Sequence, residues 1–170
     1  HLATIWIAAI GTVLSAYFIL AANSWMQHPV GYEYNPVTGR AELTDFLALL
    51  TNSTALITFA HTIPAAFMTT GAFIAGIGMY RMLKDRDRPD VAAPFRSAAK
   101  AGAVMLLVSG LLVAITGDIQ GKIMTEQQPM KMAAAEALWE TEQPASFSVF
   151  TIGTPDGSED IFSIRIPYLL

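Results

Sequence analysis

Between residues 46 and 80 the chain carries no Asp, Glu, Lys or Arg, and within that run stands one histidine, His61. A bilayer span needs roughly 20 mostly apolar residues, so the run is long enough to cross a membrane. An ionisable side chain at such depth is costly and marks a functional site by default. Neutral imidazole is a common metal and haem-iron ligand. The alternative is a histidine that hydrogen-bonds a neighbouring helix or faces a watery cavity.

The rest of the chain fits the same solvent. It is 53% hydrophobic and 14% charged, against roughly 25% charged in soluble domains, and its mean hydropathy is +0.43. Apolar runs predict three spans, at 3–23, 53–80 and 95–117. The predicted fold is therefore an all-α membrane protein. Residues 1–117 form a transmembrane helical bundle, and residues 118–170 form an extracytoplasmic loop domain with a short helix and a hairpin. A net charge of −4 argues against nucleic-acid binding, which wants a basic face. With no cysteine, disulfides, zinc-thiolate sites and iron–sulfur clusters are excluded within the chain. The opening on His1 almost directly into a span, and the stop at Leu170, read as an internal piece of a longer protein.

Basic residues orient the spans. Six of the ten, Arg81, Lys84, Arg86, Arg88, Arg96 and Lys100, flank or fill the connection between the second and third spans. Positive-inside logic makes loop 81–94 cytoplasmic and residues 24–52 and 118–170 extracytoplasmic. His61 lies eight residues in from Ser53, about 12 Å below the outer end of its span at 1.5 Å per residue. A site there would lie under the tail. Pro64, one turn beyond, predicts a kink or local loosening. Ahead of this span, 43–50 predicts a short interfacial helix capped by Thr44. Glycines 71, 76, 78, 102 and 110 suit either close helix packing or room for a flat cofactor.

In the tail, residues 124–140 predict a helix of one to four turns with Pro129 early in it. Lys131 and Glu136 are five apart, about 140° around an ideal helix. Such a pair can hold opposite ends of a small polar ring, the lysine donating a hydrogen bond and the glutamate accepting a proton. A solvated amphipathic helix is the plainer reading. Farther on, Phe147, Val149 and Thr151 alternate, T-P-D-G-S makes a turn, and Phe162, Ile164 and Ile166 alternate again, which predicts a small hairpin.

Four blocks resemble subunit I of the cytochrome bd quinol oxidases: N-S-W-M-Q-H-P-V-G at 23–31, F-A-H-T at 59–62, G-D-I-Q-G-K at 117–122, and Q-P-M-K-M-A-A-A-E-A-L-W-E-T at 128–141. Their order and spacing match, and the resemblance covers essentially the whole chain. It implies the fourth to sixth spans of that subunit and the first half of its quinol-binding loop.

The resemblance implies that His61 is an axial ligand of the low-spin haem b, that Lys131 and Glu136 bind and oxidise quinol, and that Ser15 belongs to a proton path. In the complete protein it implies a high-spin haem b and haem d as well. The opposing methionine ligand of the low-spin haem falls outside this piece in the family. The implied partners are subunit II, membrane lipid and quinol, with a small accessory subunit as a further candidate. The implied place is the bacterial plasma membrane. The implied activity is quinol oxidation at the outer face with reduction of oxygen to water, which builds a proton-motive force; the piece alone is expected to be inactive. Two other classes compete: a transporter fragment with His61 as a proton-coupling residue, and a haem-binding assembly subunit without turnover. The three spans show no internal repeat of the kind transporters favour.

Overall fold

A computed structural model describes residues 1–169. Among the described residues, three helices are long and apolar enough to cross a membrane. They are α1 (Leu2–Gln27), α3 (Ser53–Lys84) and α4 (Pro89–Gln127); a short helix α2 (Phe46–Leu50) precedes α3. Two strands, β1 (Tyr32–Asn35) and β2 (Arg40–Leu43), form an antiparallel hairpin in the first connection. After α4 come α5 (Pro129–Ala135), β3 (Phe147–Gly153) and β4 (Asp160–Ile166), the strands again an antiparallel pair. The protein is thus a mainly α membrane protein with two small hairpins. The chain divides into two compact units, His1–Gln120 and Gly121–Leu170.

The first unit is built inside out relative to a soluble bundle. Its buried apolar residues are alanines (Ala21, Ala55, Ala75, Ala92 and Ala99), while Ile7, Phe18, Phe73, Leu107 and Leu111 are exposed. Outward-facing large apolar side chains suit lipid or further helices, and small residues let backbones approach. At Gly71 an added Cβ would stand 2.7 Å from the Leu106 amide nitrogen, and at Gly102 it would stand 2.6 Å from that of Ala75. Gly78 meets Ala99 in the same way. The space at these glycines is filled by the facing helix, so the packing reading holds there and a flat cofactor does not fit. Gly76 has nothing within 4 Å.

Helix α3 runs unbroken through Pro64, which has no N–H to offer the carbonyl four residues back. Helix α4 starts at Pro89, earlier than the span predicted from residue 95, and contains Pro94. Between α3 and α4 the turn is tied by Asp85, buried at its carboxylate, with Arg81 2.9 Å away and Arg88 on its other oxygen. The Arg81 guanidinium lies over the Phe95 ring at 4.9 Å.

The predicted cap of α2 is corrected. Asp45, not Thr44, is the N-cap, and its carboxylate accepts from the Ala48 amide at 3.0 Å. A carboxylate at a helix start also meets the positive end of the dipole, whereas the Thr44 amide is spent on the Gly31 carbonyl at 2.8 Å. The block at 23–31 is a latch between helices. Trp25 Nε1 donates to the Val30 carbonyl at 3.0 Å, and Asn52 Nδ2 donates to the His28 carbonyl at 2.9 Å. Gly31 turns the chain at φ 63, and an added Cβ would collide with the Asp45 carbonyl oxygen. Asn52 also caps α3, its side-chain oxygen accepting from Thr54 N at 3.0 Å.

Candidate functional site

His61 sits half-buried on α3, facing α4. Its Nδ1 is 3.0 Å from Thr116 Oγ1. An added Cβ at Gly117 would lie 3.4 Å from His61 Cε1, an ordinary contact distance, so the imidazole rests against α4 at that point. The hydrogen bond to a neighbouring helix is therefore real, but it engages only one of the two ring nitrogens. Ligation through the other nitrogen is compatible with it. Nearby, Tyr17 of α1 stacks edge-on against Phe59 at 5.1 Å and donates to the Leu50 carbonyl. Ser15 lies on the exposed side of α1.

The second unit forms a separate site. Helix α5 ends in a Schellman turn: Leu138 N donates to the Ala133 carbonyl at 2.9 Å and Ala137 N to the Ala134 carbonyl at 3.3 Å. Ala137 takes the left-handed conformation, φ 51, where glycine is usual. Glu136 is the C-cap rather than an interior helical residue, so the ideal-helix angle to Lys131 does not apply. The turn directs Glu136 inward: it is 8% exposed, and its Oε2 accepts from the Ser148 amide at 2.8 Å. The plainer reading of a solvated helix face does not hold for this residue.

The segment after α5 is fastened to the hairpin at two further points. Arg165 Nη2 donates to the Ala137 carbonyl at 3.0 Å, and Trp139 Nε1 donates to the Gly157 carbonyl at 2.8 Å. The register shift between Ser148 and Phe150 interrupts the predicted alternation, because Val149 is an extra residue in β3. Phe150 then pairs with Ile164 and Ile152 with Phe162. At the strand tips, Thr154 and Asp156 hold Ser158, and Gly157 turns at φ 70.

A cavity of about 370 Å³ opens beside Glu136, walled by Pro129, Met132, Leu138 and Pro144, with Glu142 also lining it. That volume is within the range of small-molecule sites. Lys131 is exposed on α5 and is not among the residues lining this cavity, so the structure does not bring the predicted pair to one wall. Glu142 was not singled out in the sequence; its signal was only one more carboxylate in W-E-T-E-Q-P. It accepts from the Ser146 hydroxyl at 2.7 Å and amide at 3.2 Å, and faces Arg165 at 3.6 Å. Those bonds, the hydroxyl first, hold its carboxyl below the usual range. Asp160 is held low as well, chiefly by the Ser163 hydroxyl and then by Arg165.

Residues 1–170 match the family described as cytochrome bd terminal oxidase subunit I. The chain is 38% identical over its whole length to the cytochrome bd ubiquinol oxidase subunit 1 of Bacillus subtilis (strain 168), covering 35% of that protein. It is 34% identical, again over its whole length, to the cytochrome bd-II ubiquinol oxidase subunit 1 of Escherichia coli (strain K12), covering 32%. The bd oxidase structure from Geobacillus thermodenitrificans superposes with a TM-score of 0.81 at 29% identity, over 94% of this chain and 35% of that one. The chain spans about a third of the length of these relatives. Families of this kind bind haem, and the donor set at His61 fits that group: a half-buried imidazole, oriented from one side and available on the other.

Proposed function

The chain belongs to the cytochrome bd terminal oxidase subunit I family, and from that premise we propose that the whole protein is a quinol oxidase of the bacterial plasma membrane that reduces oxygen to water. The observation that carries this reading is His61, fixed at Nδ1 by Thr116 within a charge-free span of a chain that matches the family end to end. The family match gives no support to a transporter.

In this reading His61 would hold a low-spin haem b through Nε2, with a methionine from another part of the subunit as a further ligand. Bound there, the haem supplies reversible one-electron transfer. The complete protein would also hold a high-spin haem b and haem d and pair with subunit II, with a small accessory subunit as a further candidate partner. Residues 118–170 form the extracytoplasmic quinol-binding loop and 1–117 the membrane region; loop 81–94 is cytoplasmic and 24–52 extracytoplasmic.

Quinol oxidation releases two electrons and two protons. Glu136 takes a proton at the wall of the loop cavity, and its Ser148 amide bond keeps the carboxylate aimed while it does so. Lys131, reaching from exposed α5, donates a hydrogen bond to a quinol oxygen and stabilises developing negative charge. Ser15 relays protons taken from the cytoplasmic side. Release of protons outside and uptake from inside build a proton-motive force without a pump.

The test is made on the complete subunit in its complex. His61→Ala should abolish the low-spin reduced-minus-oxidised signal and quinol-driven oxygen uptake. An unchanged low-spin spectrum in a stably inserted variant would sink the assignment.

A further inference from the structure

Thr116 does more than fill the α3–α4 seam. Its Oγ1 lies 2.7 Å from the Leu112 carbonyl, four residues back, and 3.3 Å from that of Val113. A hydroxyl has one proton to donate. A carbonyl can only accept, so at 2.7 Å the Thr116 proton must point to Leu112; otherwise two oxygen lone pairs would be pressed together. Thr12, Thr62, Thr69, Thr70 and Thr125 make the same back-bond, an ordinary habit of helical threonine. Thr116 differs from these in having an imidazole nitrogen 3.0 Å from the same oxygen.

The consequence concerns the proton on His61. With the Thr116 proton committed to Leu112, Oγ1 is left as an acceptor, and the contact at 3.0 Å is a hydrogen bond only if Nδ1 carries the hydrogen. Neutral imidazole has one N–H, so Nε2 then holds the lone pair.

We propose that Thr116 is the positioning residue of the haem ligand His61: its hydroxyl oxygen fixes the Nδ1–H tautomer and presents Nε2 as the ligating atom. This rests on the reading of His61 as a haem ligand. A hydrogen bond at the distal nitrogen makes a ligating imidazole more basic and orients its plane. Greater basicity favours the oxidised iron, so removal of the bond should raise the reduction potential of that haem.

The experiment is a redox titration of the low-spin haem in the complete complex, comparing the native protein with Thr116→Val, Thr116→Ala and Thr116→Ser. Valine keeps the shape and loses the acceptor; alanine loses the acceptor without risk of crowding the ring; serine restores it. Both hydroxyl-free variants should shift the oxidised-to-reduced equilibrium on the order of tenfold toward reduced, which is about 59 mV upward for a one-electron couple. Serine should return the native potential. A native potential in either haem-loaded hydroxyl-free variant overturns the proposal, as does a serine variant that titrates with the alanine one. His61→Ala separates the premise: retention of the low-spin signal there refutes the ligand reading itself, whereas its loss together with an unshifted Thr116→Ala refutes only the role of Thr116.

Discussion

Ser148 and Glu136 are joined twice: the Ser148 amide donates to the Glu136 carboxylate at 2.8 Å, and the Ser148 hydroxyl donates to the Glu136 main-chain carbonyl. One bond aims the side chain and the other pins the backbone that carries it. Without the hairpin, the end of α5 would present Glu136 to water as a mobile carboxylate.

Glu136→Gln should separate aim from chemistry. Glutamine keeps an oxygen that can accept from the Ser148 amide, but it cannot take up a proton at the quinol. Quinol-driven oxygen uptake should fall by about tenfold or more while haem content stays native. The measurement is steady-state oxygen consumption beside the optical spectrum. Full activity with native quinol would leave Glu136 as a structural clamp.

Lys131 should behave differently, because it is exposed and lies off the cavity wall that holds Glu136. Lys131→Ala should lower kcat/KM for quinol by about tenfold, with more of the loss in KM than for Glu136→Gln, as expected when uniform binding is removed. Equal losses confined to kcat would place the lysine at the reacting oxygen only in the transition state.

The loop should loosen in acid. Glu142 and Asp160 have ordinary values of 4.5 and 3.8, and the folded loop holds both lower through Ser146, Ser163 and Arg165. The stabilisation from each is therefore present above its ordinary value and is lost as pH falls through the depressed folded value. Protection of the β3 and β4 amides against hydrogen exchange should fall below about pH 4, and Arg165→Gln, by removing part of the depression, should lower protection at neutral pH and shrink the further loss in acid. A flat exchange profile across this window would contradict the linkage.

The three long helices were legible because charge-free runs of that length suit a bilayer span, and the 147–166 hairpin because its alternation is bounded by T-P-D-G-S. The hairpin β1–β2 escaped notice: Glu33 and Glu42 sit opposite each other in it, and its residues are nearly all exposed, so no apolar alternation marks it. At the site, His61 stood out through its solvent, yet its partner Thr116 is 55 residues away and looks like any helical threonine. The inward turn of Glu136 depends on Ala137 adopting φ 51. No local signal announces that, since glycine is the residue expected at such a position.

The glycines of the membrane region should differ sharply in their tolerance of a side chain. Gly71 and Gly102 face each other's helices at backbone range, where an added Cβ would meet main-chain atoms at 2.7 Å and 2.6 Å. Main chain cannot swing aside as a flexible side chain can, so even alanine must push α3 and α4 apart. Overpacking of this kind costs about 1–3 kcal/mol, and His61 and Thr116 sit on the same two helices, so the expected result is a weaker hold on the histidine. Gly76, on the same helix as Gly71, has open space within 4 Å, and alanine there should improve helix propensity by about 1 kcal/mol. Thermal unfolding of the detergent-solubilised complex should therefore show Gly102→Ala and Gly71→Ala melting lower than native and Gly76→Ala at or above native. The low-spin haem signal should weaken in the first two and remain whole in the third. Equal melting of all three variants would mean that the close approach of α3 and α4 does not hold the histidine in place.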